Sequence, residues 1–309
     1  MNIVFMGTPD FARDSLKALV EAGHNIKLVV TNPDKPKGRG MKLIPSDVKV
    51  YAESQSLQIA QPIKVRKNEE FIAKLKEINP DLIVVVAYGK IIPKEILDIP
   101  KFGCINVHGS LLPNYRGAAP IQWSVLNGDK ETGITTMYMD EGMDTGDIIL
   151  QQKTEIGEDE TTGELWNRLS KIGAELLVKT ISQIENGTAP RVKQPENCTI
   201  APMIEKEMAK INWEKQTSNE IKNLVRGLNP FMGAYSNLNG HKFKFWKVQI
   251  GNNSGIPGTI LVSNAKDGLE IATVDGSIKV LEIQGENAKK MNIADFLRGN
   301  TLQVLEKFN

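Results

Sequence analysis

The sequence predicts an α/β fold with a parallel sheet, followed by a small all-β barrel of the oligonucleotide-binding type. Three observations carry this. The first thirty residues read strand, helix, strand. Nearly continuous apolar runs then alternate with helical stretches to about residue 188. Beyond that the period switches to two, with Asn239-Gly240 and Asp275-Gly276 as hairpin turns.

Taken in order, NIVFMG closes on Gly7 as a short buried strand. Pro9 suits the first turn of a helix in which Phe11, Leu16, Leu19 and Val20 share a face, and Gly23 can end it. The next strand is 26–30. Asn68 caps a helix faced by Phe71, Ile72, Leu75 and Ile78. DLIVVVAYG at 81–89 has the unbroken apolar character of a strand buried on both faces. CINVH follows after a helical or turn-like link around KEILDIP, then strands at 133–139 and 147–152. Thr161 and Glu164 form a capping box for a long helix that stops near Gly187. NGTAPRVKQPENCTIAP reads as a linker. Thr217 and Glu220 cap a shorter helix, after which HKFKFWKVQI, GLEIATV and SIKVLEI supply antiparallel strands. The resulting division is a first domain at 1–188, a linker at 189–207 and a barrel at 208–309.

Composition narrows the function. Hydrophobic residues are 40% and charged residues 24%, with a net charge of +1, so a polyanion site must come from local clustering. Two cysteines are too few for a disulfide framework or a zinc site. The start of the chain lacks the basic, apolar pattern of a signal peptide, and no window reaches the roughly 18–20 apolar residues of a membrane helix. A cytoplasmic protein without membrane contact is the expectation.

VFMGTPDF has the strand-to-helix form of a dinucleotide site but lacks its glycines, and Asp10 would repel a pyrophosphate. No phosphate-binding G-K-[ST] occurs. In CINVH the strand pleat sets Cys104, Asn106 and His108 on one side, near the carboxyl end where open parallel sheets bind ligands. The alternative is a core histidine bonded to backbone. A Cys104–His108 thiol catalyst is a third reading, and it needs an exposed thiolate. In MDEGMDTGDI, Asp140, Glu141, Asp144 and Asp147 line a glycine-punctuated loop. Calcium-loop spacing is absent, so either one carboxylate orients His108 or the loop is solvated. DKPKGRGMK carries Lys35, Lys37, Arg39 and Lys42 among Pro and Gly. That composition disallows a helix or central strand and suggests a mobile basic loop, suited to phosphates or merely solvated. Between Glu220 and Asp267 there is no acidic residue, whereas Lys222, Arg226, Lys242, Lys244, Lys247 and Lys266 all fall there.

Together CINVHGSLLPNYRGAAPIQW, DEGMDTGDIIL and VFMGTPDFA resemble the methionyl-tRNA formyltransferases over essentially the whole chain. The run from Ser110 to Gln122 is the specific part. The Asn-x-His with a downstream Asp also occurs in formyltransferases acting on glycinamide ribonucleotide or amino sugars. The resemblance implies a Rossmann-like formyltransferase domain with a mostly parallel sheet, then the barrel. It implies formyl transfer from 10-formyltetrahydrofolate, without a metal, to the amino group of methionine on initiator methionyl-tRNA. It implies Asn106, His108 and Asp144 as the catalytic trio. Ser110, Leu111, Leu112 and Pro113 would contact folate, and Lys35, Lys37, Arg39 and Lys42 would contact tRNA. A monomer is expected.

That chemistry suits the residues. The substrate supplies the amine nucleophile, so Cys104 can be passive. Donors from Asn106 and His108 can meet the oxyanion, each worth about 3–4 kcal/mol in comparable acyl-transfer sites. A non-catalytic tRNA-binding module is the rival class, and it has no use for the trio.

Overall fold

The computed structural model describes residues 1–37 and 41–309, with backbone only at Lys37 and Lys42. Two compact units are present, and neither is contiguous in sequence. Met1–Pro120, Glu131–Glu155 and Trp166–Pro202 form the first; Ile121–Lys130, Ile156–Leu165 and Met203–Asn309 form the second.

The opening β-α-β consists of β1 (Asn2–Gly7), α1 (Asp10–Glu21) and β2 (Asn25–Val30). The basic stretch then folds back as a ribbon of β3 (Lys35–Lys37) and β4 (Lys42–Ile44), Lys35 paired with Ile44 and Lys37 with Lys42. A loop was expected there; a Pro-containing pair stands because it lies outside the main sheet, where no second neighbour needs the missing N–H. Ser46 caps α2 (Asp47–Ser54) by accepting from the Lys49 N–H. Next come β5 (Ile59–Ala60), α3 (Glu69–Ile78), β6 (Leu82–Val86), α4 (Lys94–Leu97) and β7 (Cys104–His108). Asn68 caps α3 as expected. β8 (Arg116–Gly117), α5 (Pro120–Leu126), β9 (Glu131–Tyr138), β10 (Ile148–Glu155), α6 (Thr162–Glu185) and β11 (Ile200–Ala201) complete the series.

The main sheet has the order β10-β9-β7-β6-β1-β2-β5. β5, β2, β1, β6 and β7 are parallel, and β9 is antiparallel to both its neighbours. Every residue of β6 is buried, which is why LIVVV carries no polar alternation. The chain moves outward from β1 to β5, then returns to β6 on the other side of β1. That reversal falls between β1 and β6, the topological position at whose carboxyl ends such sheets bind ligands. The strands approach closely there: a Cβ on Gly7 would lie 2.6 Å from Ala12 Cβ and 2.9 Å from the Val86 carbonyl oxygen.

Residues 189–207 were expected to be a connector. Within that stretch β11 pairs in parallel with β8, and Val192 bridges Ile148.

The second unit holds α7 (Ser218–Gly227), with the expected Thr217–Glu220 capping box. Its strands are β12 (Ala234–Leu238), β13 (His241–Ile250), β14 (Ile260–Asn264), β15 (Gly268–Ala272), β16 (Ser277–Gln284) and β17 (Met291–Asn292), followed by α8 (Ile293–Gly299). All their pairings are antiparallel, along the path β12-β13-β16-β15-β14. The extended segment 305–309 closes this path into a ring. On the β14 side, the Ile260 N–H donates to the Glu306 carbonyl and the Phe308 N–H to Gly258, each at 2.9 Å. On the β12 side, Asn309 and Asn237 exchange both backbone bonds, at 2.9 and 3.0 Å. Phe308 fills the interior beside Trp213, Phe243 and Phe245, with ring centroids 5.6–6.0 Å apart. Phe243 and Phe245, interleaved with lysines in the sequence, therefore belong to the core.

Glu270 is a buried carboxylate in this unit, 3% exposed. Burial pushes its carboxyl up. Hydrogen bonds from Ser277 Oγ (2.6 Å) and from Asn253 N (3.2 Å) and Nδ2 (2.8 Å) outweigh that and hold it below the usual glutamate value. A depressed carboxyl contributes stability above its unfolded value and loses it as pH falls through the folded one. Thermal midpoints followed from about pH 7 to about pH 3 should therefore drop in acid, and Glu270→Gln should start lower at neutral pH with a flatter decline.

Candidate active site

β7 delivers the side chains. Its pleat sets Cys104, Asn106 and His108 on one side. Cys104 is buried inside the sheet, and burial, helped by Asp98, pushes its thiol up to about 12. It stays protonated at neutral pH, which removes the thiol-catalyst reading. Asn106 is half-buried, and His108 is 5% exposed.

The loop between β9 and β10 brings in the carboxylate. Asp144 sits at φ 54°, in the left-handed region. Aspartate tolerates it better than most residues, at a cost of about 1–3 kcal/mol. The side chain turns back toward β7. Its Oδ1 accepts from Asn106 Nδ2 at 3.3 Å, and its Oδ2 accepts from the Gly117 N–H at 2.9 Å. His108 Nδ1 lies 3.6 Å from Oδ2. The three expected residues thus gather on one carboxylate, whose side chain is 17% exposed and so reaches solvent.

The other acids of that loop diverge. Asp140 Oδ1 braces the turn, accepting from the Gly142 N–H at 3.0 Å and from Thr145 Oγ1 at 2.6 Å. Glu141 is exposed, and Asp147 pairs with Arg191 at 3.3 Å.

His108 Nε2 lies 2.9 Å from the Tyr115 carbonyl oxygen. A carbonyl only accepts, so Nε2 carries a hydrogen. The Tyr115 carbonyl, and not Asp144, thereby sets the tautomer.

Two of the four expected folate contacts are committed internally. Ser110 is fully buried; its hydroxyl donates to the Asn114 carbonyl at 2.6 Å. Leu112 is 3% exposed, and its N–H donates to Thr135 Oγ1 at 3.1 Å. Its carbonyl accepts from Gln151 Nε2 at 2.8 Å. Leu111 and Pro113 are half-buried. Lys35 is exposed on β3, in the ribbon anchored by Asp34, which accepts from Lys49 (2.7 Å) and Gln61 (2.8 Å). Arg39 and the side chains of Lys37 and Lys42 lie outside the described residues.

Sequence reasoning missed the bracing groups: Tyr115, Gly117, Gln194 and Thr199. Gly117 lies in the quoted RGAAP run, but nothing in the letters says that its N–H meets a carboxylate. Thr199 Oγ1 accepts from the Tyr115 N–H at 2.8 Å, from a stretch without any period.

Residues 1–181 match the formyl transferase family model, and residues 203–301 match that of the formyl transferase C-terminal domain. The chain is 50% identical to a methionyl-tRNA formyltransferase of Citrifermentans bemidjiense, over 98% of this chain and 95% of that one. The chain belongs to the methionyl-tRNA formyltransferase family. A second member, from Geobacter metallireducens, is 49% identical over 98% of this chain and 97% of its own. The fold also matches an N-formyltransferase from Helicobacter canadensis, solved with folinic acid and dTDP-3-aminofucose. The TM-score is 0.68 at 22% identity, covering 94% of this chain and all of that one. Family membership makes the chain a formyl-transferring enzyme. Among the described residues no helix is long and apolar enough to cross a membrane.

Gly146 gives the loop its shape: a Cβ there would lie 1.9 Å from the Tyr138 carbonyl oxygen. Gly146→Ala should displace the loop and lower turnover by about 100-fold, since a shift of about 1 Å in a reacting group has that effect. Steady-state formyl-transfer rates check it.

Proposed function

We propose that this protein transfers the formyl group of 10-formyltetrahydrofolate to the amino group of methionine on initiator methionyl-tRNA. The observation that carries the residue assignment is the gathering of Asn106 and His108 on the Asp144 carboxylate at the carboxyl edge of the sheet.

In this reading the N–H of Asn106 that does not bond Asp144 meets the formyl oxygen as it gains charge. The Nε2–H of His108, resting here on the Tyr115 carbonyl, is the second donor. The His108–Asp144 pair takes the proton that the amine must lose, and returns one to the folate nitrogen as its bond to the formyl carbon breaks. One C–N bond forms, one breaks, and the proton count is unchanged. Both substrates are held at the carboxyl edge of the sheet, beside β7. Leu111 and Pro113 offer apolar surface to the folate, while Ser110 and Leu112 keep the loop rigid. The domain of residues 1–188 is the catalytic one. Lys35, Lys37, Arg39 and Lys42 face tRNA phosphates, aided by the barrel at 208–309, whose long acid-free stretch supports that role. The protein works as a monomer in the cytoplasm, where its tRNA substrate is charged.

Formate release and formyl-methionine production from 10-formyltetrahydrofolate, with and without charged initiator tRNA, test this. Transfer should require the charged tRNA; transfer to an amino sugar or ribonucleotide instead would refute the substrate. His108→Ala and Asp144→Asn should each lower turnover by about 10³-fold or more, with folate binding nearly unchanged. For Arg39→Ala, KM for tRNA should rise, and the slope of log affinity on log salt should shrink by about one. An unchanged salt slope removes Arg39 from the interface.

A further inference from the structure

We propose that Gln194 is a positioning residue for the formyl-transfer reaction, holding the backbone that aims the Asp144 carboxylate. This rests on the catalytic reading of Asp144 above. One side-chain nitrogen, Gln194 Nε2, donates to two carbonyls of the same loop: Asp144 O at 2.9 Å and Gly146 O at 2.8 Å. These carbonyls flank Thr145 and span the left-handed turn at Asp144. The amide has one productive orientation. Its Oε1 accepts from Arg116 Nε at 3.0 Å and Nη2 at 2.7 Å. Flipping it would set an oxygen against two carbonyl oxygens and an NH₂ against a guanidinium.

The contacts close a circuit. Arg116 precedes Gly117, whose N–H donates to Asp144 Oδ2. Gln194 and Arg116 therefore join the two ends of the same aspartate, backbone carbonyl and carboxylate. The frame around them is also tied down. Val192 pairs with Ile148, just beyond the loop, and Ile200–Ala201 pairs with Arg116–Gly117. With a residue held at positive φ, the side-chain direction follows from the backbone. Losing the Nε2 donations frees Asp144 to relax toward ordinary dihedrals, swinging the carboxylate away from His108.

A stitch that only stabilises the fold would make the same contacts, so the test must separate the two roles. Gln194→Glu preserves length and an acceptor for Arg116 but has no N–H. We expect kcat to fall by about 10–100-fold, with KM for both substrates within about threefold of the parent and the thermal midpoint little changed. In an Asp144→Ala background, read by single-turnover transfer, the same change should bring no further loss. Gln194→Met, which removes the donors without adding charge, should behave alike and covers a failure of the first variant to fold. Near-parental kcat, a loss that multiplies with Asp144→Ala, or failure of both variants to fold would overturn the role. A parent-like Asp144→Ala would instead sink the catalytic reading, and this role with it. A crippled Asp144→Ala beside a parent-like Gln194→Glu sinks this role alone.

Discussion

The geometry at the sheet edge depends on one carboxylate held where an aspartate does not ordinarily rest. Asp144 adopts φ 54°, and its two oxygens answer to a carboxamide, an imidazole and a backbone N–H from two other segments. The Gly117 N–H holds one oxygen at 2.9 Å, whereas the 3.3 and 3.6 Å separations to Asn106 and His108 are loose. Position comes from the number of constraints. The rigid part is the parallel sheet, whose interior strands place Asn106 and His108 without any help from the loop. A mobile carboxylate set against a rigid strand would sample many arrangements. The clamps on the loop backbone convert that into one arrangement, and preorganisation of this kind is what electrostatic catalysis requires.

The loop at 110–119 follows the same logic. Its Ser110 hydroxyl and its Leu112 N–H and carbonyl bond to the loop itself or to β9 and β10. A loop beside the proposed reacting centre gains from being saturated internally, because unsatisfied polar groups there would compete for the substrate's charge. Family resemblance marked these residues as ligand contacts. In the structure the Ser110 hydroxyl and the Leu112 backbone make internal hydrogen bonds, which hold the loop in shape and constrain what residues can stand there.

Much of this was legible in the letters. Hydrophobic period and capping residues located β1, α1, β6, α3, α6 and α7, because burial and local hydrogen bonds act over a few neighbouring residues. The strand pleat placed Asn106 and His108 on one side of β7. Less visible were elements too short or too polar to have a period: the local ribbon of β3 and β4, the pairing of β11 with β8, and the closure of the barrel by 305–309. The last two exist only because partners distant in sequence are already in place. Gln194 shows the limit best. It lies in a Pro-, Asn- and Thr-rich stretch with every mark of a connector, and only the fold brings its amide to Asp144.

The protonation pattern finally bears on why this chemistry needs so few groups. The nucleophile is an amine that arrives with its proton, and the leaving nitrogen must depart with one. A site for such an exchange needs a reservoir that can hold a single proton and release it within reach of both nitrogens. In the proposed reading that part falls to Nδ1 of His108 and Oδ2 of Asp144, which face each other across 3.6 Å, with Nε2 acting as a donor. The Tyr115 carbonyl accepts from it at 2.9 Å. A nucleophilic side chain would add nothing. The Cys104 thiol is held protonated by burial, and the remaining acids of the loop pair elsewhere: Asp140 with Thr145, Asp147 with Arg191, and Glu141 with Lys94 at 3.9 Å. In the proposed reading the chemistry falls to Asn106, His108 and Asp144, and the contacts around them keep them still.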